Sequence, residues 1–525
     1  PGPHLVVGEP RLSPTRGMDL DFYDTMFAVL ADRRGVEILP LPVGDRAALR
    51  REIDQLTIHD RLLSFLDLGP AQVVHRWLLL ARRGRVLGLP GGPLVRVLGD
   101  NDLVRELLPW VLARGGRLVN EPPVAPGETD AASLPGLPGA GEVADALAAA
   151  CAGRGLDLRL EAAPVLAAER LAQASRWWRP AARAARERIG TWLAGGGPQA
   201  LVANTISGPG GHFLAAEARQ AGIPVIVAEH GVSAGLTCFH EPLRPYSEAK
   251  PCHIYLACSE NTARFLDQEP GLAGRSLVVG LPARMRSVPL RGLQRLLTRR
   301  RLGARRGERV VMYLTSAIQN NLRLLPYSPE DRDVHELERR MALEVMPAVR
   351  GVPVIKFYNT RRGLDPDPLA AEFRPPAHVR VLRAGDFRFL RAGADVLVLQ
   401  SAMSTLGWAL GAGKPLFFIE TPERRLLAPV REAAARALFL FDAGEAGWHE
   451  RLLASLNRPD REIEQDWRDR SAARKEFLEQ YVYGPRCAGR NAARATLDAA
   501  RRFHARVAAS GTPGWTGTRE NEVGR

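Results

Sequence analysis

The chain has 525 residues, 46% of them hydrophobic and 25% charged, which is ample material for several cores and excludes an intrinsically disordered protein. Its 50 glycines and 40 prolines follow no Gly-X-Y period, so a collagen-like fibre is excluded as well. The formal charge is +14, and all of the 72 basic residues except Lys250, Lys356, Lys414 and Lys475 are arginine. Partners that carry phosphate fit that balance: nucleic acid, an anionic membrane surface or a nucleotide-activated substrate.

The start, Pro1-Gly2-Pro3-His4, has no charged-then-apolar leader pattern. The most apolar stretch, Val73 to Leu80, is interrupted by His75 and Arg76, too short and too charged to cross a bilayer. Cys151, Cys238, Cys252, Cys258 and Cys487 form no Cys-x-x-Cys pair and cannot frame a chain of this size. The expectation is a cytoplasmic protein, peripheral at most on the inner face of the cell membrane. In the first 120 residues a short apolar run (36–41) and a helical stretch (103–112) stand out. Residues 120–141 form a Pro/Gly/Ala-rich loop or insertion, and an Ala/Arg-rich helical region follows over 142–193.

From residue 200 the pattern sharpens. A β run at 200–204, a Ser-Gly-Pro-Gly-Gly turn, a helix at 212–221 and a buried strand at 224–230 make a βαβ unit of crossover length. Further runs lie at 254–257 and 276–280. Residues 291–309 hold eight arginines and a helical stripe of Leu293, Leu296, Leu297 and Leu302, read as the connection between two large domains. Strands are then expected at 310–314, 352–357, 379–382, 395–399, 415–419 and 437–441, with helices at 331–349 and 404–411. This is doubly wound α/β alternation, which places ligands beyond the carboxyl ends of the strands. Helical sequence returns over 460–509, and residues 510–525 have the composition of a disordered tail.

Several motif fragments fail on context. Gly139-Ala-Gly141-Glu-Val-Ala144 follows a Pro-rich loop rather than a strand. Gly411-Ala-Gly413-Lys414 has Pro415 where a phosphate-binding loop needs Ser or Thr. The Asp19-Leu-Asp21 and Asp365-Pro-Asp367 strings are of a kind that chance supplies, and no His/Cys cluster has zinc spacing. No metal and no cofactor are expected.

The strongest constellation runs from Asp395 through Val-Leu-Val-Leu-Gln400 to Ser404-Thr405, then Trp408 and Gly413-Lys414-Pro415. A buried strand here leads to two hydroxyls at a helix start, a ready anion site. A plain helix cap at Ser404 is the competing reading, and it would account for one hydroxyl rather than the whole arrangement at a strand's carboxyl end. The string resembles the donor-binding stretch of GT-B glycosyltransferases of the bacterial surface-polysaccharide type and of the related glycerophosphotransferases. That resemblance implies that Ser404 and Thr405 hold the phosphate of a nucleotide-activated donor, although the family's ribose-binding Glu has no counterpart near Trp408. Glu229-His230-Gly231, at a strand end, resembles the His-Gly segment of the same group. His230 is the candidate general base, with Glu229 as alternative base or as orienting group; a histidine that only bonds backbone is the competing reading.

Val278-Val-Gly280-Leu-Pro282 resembles the segment that closes the N-terminal domain in that group. Lys356 falls where relatives read Lys-x-His-Pro, with Tyr358 and Asn359 in place of His-Pro. Thr315, Ser316 and Gln319 follow the first strand of the second domain, and His212 follows the turn of the first. The resemblance implies two Rossmann-like domains facing across a cleft: residues 1–290 with inserted loop and helices, and 291–482. Residues 483–509 would form a helix packing back on the first domain. The implied activity is metal-independent transfer of a sugar from a nucleotide-sugar donor to a glycan or lipid-linked acceptor in cell-surface polysaccharide synthesis. The alternatives are a glycerophosphotransferase or sugar-nucleotide epimerase on the same fold, or a non-catalytic polyanion-binding scaffold. Nothing matches a specific nucleic-acid module. The basic segments fit an anionic membrane surface or merely a solvated face.

Overall fold

The structure, a computed structural model, describes residues 4–8, 37–41, 70–80, 85–122, 124, 178, 180–206, 209–232, 234–238, 248–268, 274–288, 291–316, 331–357, 373–382, 385–400, 402 and 404–510. In chain order the elements are β1 (His4–Gly8), β2 (Glu37–Leu41), α1 (Pro70–Leu80), β3 (Leu94–Leu98), α2 (Asp102–Ala113), β4 (Arg117–Asn120), β5 (Gln199–Ala203), α3 (Pro209–Gln220) and β6 (Val225–Ala228). Next come β7 (Ile254–Ala257), α4 (Glu260–Asp267), β8 (Arg275–Val278), α5 (Ala283–Arg286), α6 (Arg291–Arg301), β9 (Val310–Leu314), α7 (Asp331–Arg340), β10 (Val352–Lys356) and β11 (Arg380–Leu382). The last are α8 (Phe387–Leu390), β12 (Val396–Gln400), α9 (Ser404–Gly411), β13 (Leu416–Glu420), α10 (Ala428–Ala437), β14 (Phe439–Asp442), α11 (Trp448–Leu456), α12 (Asp460–Asp469), α13 (Ser471–Phe477) and α14 (Ala488–Ser510).

The chain divides into two compact units. The described part of the smaller contains β1 and β2, paired parallel from His4 opposite Glu37 to Gly8 opposite Leu41. It also holds a helical segment over 180–194 and α3, joined by an ion pair of 3.0 Å between Arg186 and Glu217.

The larger unit holds two six-stranded sheets, ordered β4-β3-β5-β6-β7-β8 and β11-β10-β9-β12-β13-β14. Every strand pair is parallel, so each connection crosses over rather than turning back as a hairpin. Strands β5, β6, β7, β9, β12 and β13 are buried along their whole length. Burial on both faces is why they read as unbroken apolar runs instead of alternating ones. The chain thus adopts the expected fold class, two Rossmann-like doubly wound domains.

Two adjacent strands, β4 at the edge of the first sheet and β3 beside it, escaped the sequence pattern. β3 (LVRVL) and β4 (RLVN) carry arginines that break the apolar run. Inside the fold Arg96 is answered by Glu121 at 2.5 Å and by Gln199 at 2.8 Å, so a charge sits in a strand because its partners arrive from residues 25 and 103 positions away. The helix expected over 331–349 is α7, then a π-helical turn at Met341–Val345 and a 3₁₀ turn at Met346–Ala348. Pro347 lacks the N–H that would continue it. Of the helical region expected over 142–193, only residues 178 and 180–193 are described. The long α14 packs on α2, where Gly489 lies close against the Glu106 carbonyl.

Candidate functional site

In each sheet of the larger unit the strand order reverses once, and beyond the carboxyl ends of the strands beside that reversal lies the crevice where doubly wound sheets hold ligands. The first sheet reverses between β3 and β5. There the Asn204 amide donates to the Asp100 carbonyl at 2.9 Å. Asn101 caps α2 by accepting from the Val104 N–H at 2.8 Å, and its amide donates to the Glu229 carbonyl at 2.9 Å. One side chain thereby starts a helix and fastens the end of β6. Beside it the Asp100 carboxylate meets His75 at 2.9 Å and Arg105 at 2.5 Å. Burial pushes the Asp100 carboxyl up, but His75 and Arg105 outweigh it and hold it well below the usual carboxylate range.

The loop that follows β6 carries Glu229, His230 and Gly231. Glu229 is buried, and both of its carboxylate oxygens are engaged. One accepts from the Cys258 N–H at 2.6 Å and the other from the Thr262 hydroxyl at 3.2 Å. Burial and the adjacent Glu229 charge push the Cys258 thiol well above its ordinary value. These bonds tie the loop to the start of α4, which is a positioning role. His230 comes next and is half-buried.

The second sheet reverses between β9 and β12. Thr315 and Ser316 extend β9 and are both buried. The Thr315 N–H donates to the Lys356 carbonyl at 3.1 Å. The Ser316 N–H donates to Glu338 at 2.6 Å, the Gln400 amide donates to the same Glu338 oxygen at 2.7 Å, and the Tyr313 hydroxyl donates to Gln400 at 2.7 Å. This network fixes the floor of a cavity of about 240 Å³ whose lining includes Ser316, Gln400, Thr421, Arg340, Arg424 and Trp448. Burial lowers the Arg424 guanidinium, against the pull of Glu338 and Glu423. Ser404 and Thr405 open α9 just past β12 and are half-buried.

The structure brings the His230 loop and the start of α9 together. A Cβ built on Gly231 falls 2.6 Å from the Ser404 Cβ and 3.1 Å from its Cα, so only glycine permits this approach. Further along α9, a Cβ on Gly407 would meet Val232 at 3.1 Å, and one on Gly411 would meet the Met285 carbonyl at 1.6 Å. One face of α9 is thus shaped to lie against the first sheet's loop and against α5.

Lys356 is buried at the end of β10, with its ammonium donating to the Phe357 carbonyl. Burial pushes the nearby Asp386 carboxyl up, but Arg388 and then Lys356 more than offset this, and it stays ionised. Arg388, absent from the sequence reading, holds Asp386 through its Nε at 2.7 Å, reaches Asp102 of α2 at 3.5 Å and lies 5.6 Å from the Trp408 ring centre. Arg391, also missed, is buried and donates to the carbonyls of Trp408, Arg284 and Ser287 at 2.7, 2.6 and 2.7 Å. No spacing rule marks either residue, because the partners that tie them to α2 and α5, Asp102 and Arg284, lie on distant segments.

His212 lies on α3 in the smaller unit, and burial lowers its imidazole below the ordinary value. Gln319 and Tyr358 lie outside the described residues, as do both Asp-x-Asp strings and the Gly139–Ala144 fragment. Among the described residues no group of three or more His, Cys, Asp or Glu is placed to hold a metal ion, and no helix is long and apolar enough to cross a membrane.

No family model and no curated protein matches the sequence. Among solved structures the chain is similar to the glycosyltransferase SnogD from Streptomyces nogalater, at 15% identity over 78% of this chain and 100% of that one, with a TM-score of 0.39. It is similar to Arabidopsis thaliana UGT89C1 complexed with quercetin at 11% identity, over 78% and 100% of the two chains, with a TM-score of 0.43. It is also similar to UDP-GlcNAc 2-epimerase from Methanocaldococcus jannaschii at 10% identity, over 77% and 99%, with a TM-score of 0.41.

Proposed function

We propose that the protein is a glycosyltransferase of GT-B type that moves a sugar from a nucleotide-activated donor to a hydroxyl of a glycan or lipid-linked acceptor. The observation that carries this reading is the approach of the His230–Gly231 loop to Ser404 at the start of α9. A candidate base and a candidate anion site, some 170 residues apart in the chain, thereby share one place.

Each group has a role in such a transfer. The cavity of about 240 Å³ at the carboxyl ends of the second sheet receives part of the nucleotide. The Ser404 and Thr405 hydroxyls, with the first-turn N–H groups of α9, hold the donor phosphates. His230 takes the proton of the acceptor hydroxyl as its oxygen attacks the anomeric carbon. The bond to the leaving phosphate then breaks, and its developing charge falls on the donors and the helix end, with the buried Lys356 ammonium adding to the field. Glu229 positions the loop and takes no proton, since both of its oxygens already accept hydrogen bonds.

A thermal-shift screen against CMP, CDP, UDP, GDP and their sugars tests the donor assignment, because a ligand that binds only the native state raises its stability with affinity. One nucleotide should stand out, and Ser404→Ala/Thr405→Ala should weaken it by about 10-fold or more for each lost charged hydrogen bond. An unchanged calorimetric affinity in that double variant would remove the phosphate role.

A further inference from the structure

Helix α6 packs on the second domain with its polar residues inward. Gln294 and Thr298 are almost wholly buried, and the Thr298 hydroxyl donates to the Phe389 carbonyl at 3.3 Å. Leu293 and Leu296 are instead 41% and 64% exposed. A helix lying on a domain ordinarily turns its leucines inward, so this inversion is a property of the outer face. Positions 293, 296 and 300 recur at helical spacing, which puts Leu293, Leu296 and Arg300 side by side.

Seven of the eight arginines of this segment fall into two groups. Arg295 and Arg299 grip Asp395 at 2.6 and 2.8 Å, Arg309 grips Asp460 at 2.8 Å, and Arg291 donates to the Ala412 carbonyl. These hold the helix and the strand ends together. Arg300, Arg305 and Arg306 are exposed and belong to no ion pair among the described residues. One stretch therefore shows water two leucines and three uncommitted guanidinium groups.

We infer that this face of α6, with the turn after it, is a docking surface for an anionic lipid bilayer. An anionic interface satisfies both features together: guanidinium groups meet headgroup phosphates while the leucines enter the boundary with the acyl chains. A nucleic-acid backbone would answer the arginines and leave the leucines in water. The surface lies outside the groups assigned to donor and base, so it stands whether or not the transfer reaction does. It would bring the enzyme to an acceptor that resides in a membrane.

Co-sedimentation of the full chain with vesicles tests the inference. The protein should pellet with equimolar phosphatidylcholine and phosphatidylglycerol, much less with phosphatidylcholine alone, and progressively less as salt rises. Each arginine near an anionic surface contributes about fivefold, so Arg300→Gln/Arg305→Gln/Arg306→Gln should weaken partitioning by about two orders of magnitude. Leu293→Ser/Leu296→Ser should weaken vesicle binding while leaving binding to a single-stranded oligonucleotide unchanged. Both sets are exposed, and an unaltered thermal midpoint shows that the fold is kept. Equal pelleting with neutral vesicles, wild-type partitioning of the arginine variant, or indifference of vesicle binding to the leucine pair would each overturn the inference.

Discussion

Adding one methyl group at Gly231 tests the central contact of the proposed site. The new Cβ would stand 2.6 Å from the Ser404 Cβ, whereas carbon atoms rest at about 3.5–4.0 Å. The loop and α9 must therefore part by about 1 Å. The atom met is a Cβ fixed by its own backbone, with its Cα only 3.1 Å away, so no flexible side chain can swing aside. Overpacking of this kind costs about 1–3 kcal/mol, and a displacement of about 1 Å between reacting groups costs about 100-fold in rate. Gly231→Ala should lower the thermal midpoint and cut turnover by about two orders of magnitude. Nucleotide affinity should change far less, since both hydroxyls stay on α9. Pairing it with Ser404→Gly removes the opposing Cβ, so a double-mutant cycle on thermal stability should show the two changes coupled by about 0.5–3 kcal/mol. Wild-type turnover and midpoint in Gly231→Ala would refute the claim that this contact sets the geometry.

Three further outcomes follow from the same structure. His230→Ala should reduce turnover by about 10²–10⁴-fold in a steady-state assay, the usual worth of a positioned base, with donor affinity in a parallel titration unchanged. Glu229→Gln should act on stability instead: its amide group cannot accept from the Cys258 N–H and the Thr262 hydroxyl at once, and a denaturant titration should read a loss of about 1–3 kcal/mol. At Asp395, burial pushes the carboxyl up while the Val310 N–H, Arg295 and Arg299 pull it down further, leaving it below 3.8. A depressed carboxyl stabilises the fold above its unfolded pKa and loses that contribution as pH falls through the folded value. Asp395→Ala should therefore cost about 3 kcal/mol at neutral pH, with the difference from wild type shrinking as the pH of the melts drops below 3.8.

The second sheet was readable in the sequence because its inner strands β9, β12 and β13 are buried along their whole length and its strands are separated by helices. Val310–Leu314 and Ser404–Gly411 fall where the apolar runs and the hydroxyl pair place them. The first sheet was half hidden. Arg96 and Arg117 interrupt β3 and β4, and a strand that carries a charge looks like surface until its distant partner is known. The leucines of residues 291–309 were visible, but Leu293 and Leu296 face water while Leu302, past the end of α6, is buried; periodicity marks a face without saying what covers it. At the site, Ser404 and His230 stood out because each closely follows a recognisable strand. Arg388 and Arg391 did not, because they meet Asp102 and Arg284 through folding alone.

Helix α9 has two glycines among its eight residues, each costing about 1 kcal/mol of helix propensity relative to alanine. A helix this short and glycine-rich has little tendency to form alone. Its order comes from the neighbours those glycines admit, Val232 and Met285, both from chain preceding the second sheet. The two sheets therefore lack autonomy in the one element that matters to both. A fragment beginning at Arg291 would keep every strand of the second sheet and still lack the surface on which α9 is set. Chimeras that exchange one half for a relative's would have to carry residues 228–236 and 282–288 together with α9, as a single inherited block.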